Sequence, residues 1–192
     1  MHKGRLEAFS DGVLAIIITI MVLELRAPSG STLADIAPLI PVFLSYALSF
    51  VYVGIYWNNH HHMFQASGQV NGAVMWANLH LLFWLSLTPF ATGWVGEHHS
   101  QPLPVALYGF VLMMSGLAYA LLARRLIRLH GEQSTLARAL GRDLKGKGSI
   151  AAYAAAIGLA WVSPAAALTI YVLVALVWLV PDRRIERSLS RA

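Results

Sequence analysis

Residues 149–180 read SIAAYAAAIGLAWVSPAAALTIYVLVALVWLV. This stretch decides how often the chain crosses a membrane. A hydrocarbon core of roughly 30 Å takes about 20 apolar residues of helix, so the stretch is too long for one crossing and short for two. Ser163-Pro164 divides it near its middle. Pro164 has no helical donor and pushes Ser163 out of helical geometry, so the stretch is a helical hairpin of two short spans or a single kinked helix. Working outward, four further apolar segments have crossing length: about residues 6–25, 38–57, 72–95 and 103–123.

Basic residues choose between the two topologies. With six spans (the last two at 149–162 and 165–180) and a cytoplasmic N-terminus, the inner side carries Lys3 and Arg5. It also carries Arg124, Arg125, Arg128, Arg138, Arg142, Lys145 and Lys147, then Arg183, Arg184, Arg187 and Arg191. Thirteen of the 14 Lys and Arg are then inside and Arg26 alone is outside. Five spans would move the last four arginines outward, against the positive-inside bias. The expectation is an all-α membrane protein with six transmembrane helices in a single domain, 1–192, and both termini cytoplasmic.

Composition agrees. Of 192 residues, 57% are apolar and 12% charged, with mean hydropathy +0.60, whereas soluble domains run nearer half and a quarter. Disorder is excluded by the same numbers. The absence of cysteine removes disulfides, thiolate metal sites and a Cys nucleophile. The formal charge of +5 reads as a topology signal, aided by anionic lipid headgroups at the inner leaflet. It does not read as nucleic-acid binding, since no basic stripe accompanies a reading helix or aromatic platform. Lys3 and Arg5 before an apolar run resemble a signal peptide, but Glu7 and Asp11 do not suit one and no cleavage pattern follows. The segment is expected to be a mature first helix. Residues 124–148 are expected to prolong the fourth helix before turning at glycines, with no soluble domain inside them. No span carries the arginine ladder of a voltage sensor.

The first helix, RLEAFSDGVLAIIITIMVLE from Arg5 to Glu24, carries charge where a span seldom does. Asp11 is either a helix-start acid paired with Arg5 or a polar pin to neighbouring helices. Ile16, Ile20 and Leu23 share one face at i, i+4, i+7, and Thr19 lies beside them. Asp11 precedes Ile16 by five residues, about 140° around the helix, so polar and aliphatic faces are separate. A second polar cluster, Tyr56-Trp57-Asn58-Asn59-His60-His61-His62, closes the second span and is followed by Asn78 and by Pro89-Phe90-Ala91-Thr92. Consecutive helical histidines point about 100° apart, so His60, His61 and His62 cannot all bind one ion, and His98 and His99 fall across the membrane. No metal is expected. His80, alone within the membrane, reads as a hydrogen-bonding or packing residue.

Arg5-x-x-x-Phe9-Ser10-Asp11, Trp57-x-x-His60-His61, Trp76-x-Asn78 and Pro89-Phe90-x-Thr92, in this order and on these spans, resemble the endosomal and lysosomal transmembrane potassium channels and their prokaryotic relatives. The resemblance implies a homotetramer of six-span subunits in a prokaryotic plasma membrane, with the first helix lining the pore and no Thr-Val-Gly-Tyr-Gly filter. It implies a constriction at Ile16, further aliphatic layers at Ile20 and Leu23, and a selectivity-bearing hydroxyl at Thr19. Behind the pore it implies a structural network of Arg5, Ser10, Asp11, Trp57, His60 or His61, and Asn78. Its partners are other copies of itself, lipid and permeant K⁺; it needs no cofactor and is no enzyme. Here three histidines stand in place of the family's pair, and residues 65–70 lack the basic groups of many relatives. The competing readings are a secondary ion- or proton-coupled transporter, whose paired discontinuous helices find only Pro164 here, and a metal-dependent membrane enzyme using Asp11 and His60–His62.

Overall fold

The structure, a computed structural model, describes residues 3–141 and 143–179, less the side chains of residues 139 and 140. Arg142, Arg183, Arg184, Arg187 and Arg191 of the charge argument lie outside the described residues. Every element among the described residues is helical: α1 (Gly4–Leu23), α2 (Leu33–Ile36), α3 (Ile40–Gln65), α4 (Gly72–Ser86), α5 (Thr88–Glu97), α6 (Pro102–His130), α7 (Thr135–Leu140), α8 (Leu144–Leu159) and α9 (Pro164–Leu179). Among the described residues, four segments, Gly4–Leu23, Leu33–Gln65, Gly72–Glu97 and Pro102–His130, are long and apolar enough to cross a membrane. At 16 residues each, α8 and α9 are about 24 Å long.

Local chemistry sets the boundaries. Pro38 and Pro41 stand in the first turns of the 3₁₀ turn Ala37–Leu39 and of α3, where a missing N–H leaves nothing unpaired. Asp35 reaches back to the Thr32 amide and closes a capping box. Pro89 breaks the third apolar segment, expected as one span over 72–95, into α4 and α5 at Leu87. Its ring has no room beside the carbonyl four residues earlier. The fourth helix does continue through the arginines, to His130, and ends at Gly131 with φ +89, a backbone conformation open mainly to glycine.

Of the stretch 149–180, residues 149–179 form a hairpin. Trp178 Nε1 donates to Ser149 Oγ at 2.8 Å, and the Tyr153 and Tyr171 rings lie 6.2 Å apart, so α8 and α9 run antiparallel. Ser163 caps α9 through the Ala166 amide, with Pro164 in its first turn. The same contact logic makes α1 antiparallel to α3 (Asp11 meets Trp57, Met21 and Ser49 meet Thr92) and α3 parallel to α6 (Ser49 meets Tyr108, Asn59 meets Tyr119). Lys3, residues 64–71 and His130 gather at one end. Lys3 Nζ donates to the Phe64 carbonyl, and His130 Nε2 accepts both the Gly68 and Gln69 amides while Nδ1 donates to Leu126 O.

Two cores result. One lies among α1, α3, α4 and α6, with Leu14, Ile17, Met21, Phe64, Leu81 and Leu122 buried. The other lies among α3, α5, α6, α8 and α9, built on Tyr52, Tyr108, Tyr153 and Tyr171 with alanines and valines between them. Large apolar side chains cover the outside as well, among them Leu44, Trp76, Phe90, Trp161 and Leu176. Contiguous apolar surface on this scale suits lipid or a protein partner, not water.

Candidate functional site: the first helix and its polar anchor

The inward side chains of α1 are Ser10, Leu14, Ile17 and Met21, at spacings of four, three and four, which hold one stripe on a helix of 3.6 residues per turn. The outward side holds Ile16, 57% exposed, Ile20, 42%, and Leu23, 78%. Thr19 also faces outward, and its hydroxyl donates to α1's own carbonyls, Ile16 O at 2.9 Å and Ala15 O at 3.1 Å. Its proton is therefore committed to the helix, and the oxygen lone pairs are what the outer face presents.

At the start of the inward stripe a hydrogen-bond relay ties three helices together. His60 Nε2 donates to Asn78 Oδ1 at 2.8 Å, Asn78 Nδ2 donates to Ser10 Oγ at 2.9 Å, and Ser10 Oγ donates to Leu6 O at 2.8 Å. The direction is fixed by elimination: the Asn78 amide nitrogen is used on Ser10, so its oxygen faces His60, which must carry the proton on Nε2. Ser10, His60 and Asn78 are each at most 2% exposed. A buried polar group without a partner is costly, so the relay holds α1 against α3 and α4 in one register. The His60 ring lies 4.6 Å from that of Phe64.

Beside this buried relay is an exposed one. Trp57 Nε1 donates to Asp11 Oδ1 at 3.1 Å, His61 stacks on Trp57 at 6.1 Å and 20°, and Gln65 Nε2 donates to His61 Nε2. Of the three histidines, His60 enters the buried relay, His61 the exposed one, and His62 Nδ1 is buried without a partner among the described residues. Their rings diverge as their spacing requires. Among the described residues no cluster of three or more His, Cys, Asp or Glu is placed to hold a metal ion.

Arg5, expected in the network, is exposed and forms no hydrogen bond or ion pair among the described residues. Lys3 makes the cross-helix contact instead, to Phe64 O and to Glu7 at 3.6 Å. Asp11 forms no ion pair among the described residues; its partner is the Trp57 indole. His80 accepts from Trp84 Nε1 at 3.0 Å. Sequence reading missed a second buried group. Thr92 Oγ1 and Tyr108 Oη both lie on Ser49 Oγ, at 2.7 and 2.9 Å, and Thr92 Oγ1 also lies 2.7 Å from Thr88 O. Thr92 stood in a quoted motif, but nothing in the spacing linked it to Ser49 or Tyr108.

Residues 5–89 match the family model described as endosomal/lysosomal potassium channel TMEM175. A potassium channel of Chryseobacterium sp. strain P1-3 is 57% identical over 190 residues, 99% of each chain. A potassium channel of Streptomyces collinus is 33% identical over 135 residues, 66% of each chain. The crystal structure of a lysosomal potassium-selective channel TMEM175 homolog from Chamaesiphon minutus superposes with a TM-score of 0.82 over 94% of this chain and 97% of that one, at 23% identity.

Proposed function

Because the chain belongs to the TMEM175 potassium channel family, we propose that it is a potassium-preferring cation channel, a homotetramer with α1 of each subunit on the axis. The chain crosses six times, by α1, α3, α4 with α5, α6, α8 and α9, in a prokaryotic plasma membrane. The end holding Lys3, residues 64–71 and His130 is cytoplasmic. Potassium is the permeant species, with no resident cofactor and no catalysis.

The observation that carries this reading is the division of α1 into two faces. One is locked to the subunit by Ser10, Leu14, Ile17 and Met21. The other holds Ile16, Ile20 and Leu23 bare, with Thr19 oxygens between them. One subunit cannot enclose a pore with a single helix face, but a closed fourfold ring can. Four Ile16 side chains would form an apolar bottleneck that gates by dewetting. An ion held there loses water without carbonyls to replace it, so conduction is slow and selectivity modest. The Thr19 oxygens, their protons turned back to the helix, replace part of the lost hydration, more readily for weakly hydrated K⁺ than for Na⁺. The buried relay at Ser10 fixes the rotation of α1 and so decides which side chains meet the axis.

The test is K⁺ and Na⁺ flux into liposomes holding purified protein. Ile16→Asn is expected to raise K⁺ flux severalfold by wetting the constriction. Thr19→Ala is expected to leave flux measurable and lower the K⁺ over Na⁺ preference. An Ile16→Asn flux equal to wild type would remove Ile16 from the pore, and unchanged selectivity in Thr19→Ala would remove that hydroxyl from ion discrimination. Flux that dissipates a K⁺ gradient without a proton gradient separates a channel from a coupled transporter.

A further inference from the structure

The 29-residue helix α6 carries one outward stripe. From its start to residue 124, its exposed side chains are Leu103, Phe110, Leu117, Leu121 and Arg124, and Arg128 is exposed one turn later. At 100° per residue these six lie within about 60° of one another, while Tyr108, Leu112, Leu122 and Leu126 are buried on the other side of the helix. Leu103 to Leu121 spans about 27 Å at 1.5 Å per residue, close to the roughly 30 Å of a hydrocarbon core. The apolar part of the stripe therefore ends where headgroups begin, and Arg124 and Arg128 stand at that level.

Arg124, Arg125 and Arg128 are exposed and form no hydrogen bond or ion pair among the described residues. The negative end of the helix dipole accounts for basic residues in a last turn, which here are Arg128 and His130. Arg124 lies a turn deeper and is not explained by it. A second copy of this chain has few free acids to answer the arginines: Glu7 faces Lys3, Asp11 holds the Trp57 indole and Asp143 caps α8. A phosphate does answer them, because a guanidinium presents paired N–H donors that match its oxygens. A zwitterionic headgroup brings its own cation, whereas one of net negative charge leaves its phosphate to the arginines.

We propose that Arg124 and Arg128 hold the phosphate of one anionic phospholipid in the leaflet at their end of the chain, with an acyl chain along Leu117 and Leu121. The site uses no residue of α1. It depends neither on α1 lining a pore nor on which side of the membrane the arginines face.

The experiment titrates phosphatidylglycerol and, separately, phosphatidylcholine into the purified full-length protein in neutral detergent, with bound lipid counted by native mass spectrometry. One phosphatidylglycerol per chain is expected to bind ahead of the rest, about tenfold more tightly than phosphatidylcholine. Arg124→Gln and Arg128→Gln are each expected to weaken it about fivefold, the share of one basic group near an anionic lipid surface. Lys147→Gln, at an exposed position of α8, is expected to leave it unchanged, which separates a built site from diffuse attraction. Glycerol phosphate carries the same anion without acyl chains and is expected not to displace the lipid. Equal affinity for the two lipids, Lys147→Gln as damaging as Arg124→Gln, displacement by glycerol phosphate, or arginine variants that bind like wild type would each overturn the proposal. So would a loss of copies from the complex in the arginine variants, which would give this face to a second chain.

Discussion

The two cores of this chain solve the same problem with different chemistry. Around α1, the core is aliphatic and its polarity is concentrated in one relay, His60 to Asn78 to Ser10, whose members have few alternatives once buried. Around α8 and α9, polarity is spread over tyrosines whose rings supply the packing; two of their hydroxyls find backbone carbonyls, Tyr52 on Tyr171 O and Tyr171 on Val105 O, while that of Tyr108 lies on Ser49 Oγ. Relays of side chain to side chain specify one register, because each member needs the next. Hydroxyls that bond to any nearby carbonyl tolerate small shifts. The difference teaches where precision is required: at the helix whose rotation decides the outward face.

The sharpest way to break that contrast is Asn78→Leu. The substitution leaves the His60 Nε2–H buried without an acceptor and removes the donor to Ser10, at a cost of about 3 kcal/mol. Thermal unfolding of the purified protein reads it, and a parallel flux assay should show altered K⁺ flux as α1 loses its rotational lock. A drop no larger than that of a surface substitution would mean that the relay is incidental. Next in size is Gly109→Ala in the second core. The new Cβ would lie 1.9 Å from Tyr171 Oη and 2.5 Å from its Cζ, and Tyr171 is fully buried, so overpacking should cost about 2 kcal/mol. Removing the obstructing ring in Gly109→Ala with Tyr171→Leu should make the pair less damaging than the sum of the singles by about 1 kcal/mol. Strict additivity would show that the close approach of α6 and α9 at Gly109 is not what limits packing there.

The first core was far more readable in the sequence than the second, for physical reasons. A helix of fixed pitch sorts Ile16, Ile20 and Leu23 from Leu14, Ile17 and Met21 by counting alone. Short-range motifs likewise marked Ser10, Trp57 and Asn78. Counting could not choose among His60, His61 and His62, because each points about 100° from the next and only the packing of α4 selects His60. It also could not foresee that Lys3 would reach the end of α3 while Arg5 stayed exposed, since two residues differ by about 200° in facing. Pro89 carried a visible signal for the α4–α5 break, but continuous apolar character across 72–95 concealed it. Tyr52, Tyr108, Tyr153 and Tyr171 sit on four different helices, so no periodicity within one segment brings them together, and the second core is a product of tertiary packing alone.

The contrast sharpens at its smallest scale inside the signature itself, where Ser10 is fully buried and its neighbour Asp11 is exposed. One residue of helix separates them, about 100° of rotation, and that rotation decides what each is worth. Trp57 is 46% exposed, so its bond to Asp11 competes with water. Trp57→Phe keeps a ring for His61 to stack on and removes the indole donor, and should shift stability by about 0.5 kcal/mol, near the lower end of what a hydrogen bond contributes. Thermal unfolding beside Ser10→Ala makes the comparison direct, since Ser10→Ala strips an acceptor from buried Asn78 and should cost about 2 kcal/mol. If Trp57→Phe proves the more damaging of the two, the Asp11–Trp57 pair is buried in the assembled protein. Neighbouring copies of the chain would then cover that side of α1, and exposure in one copy would understate what such an assembly encloses.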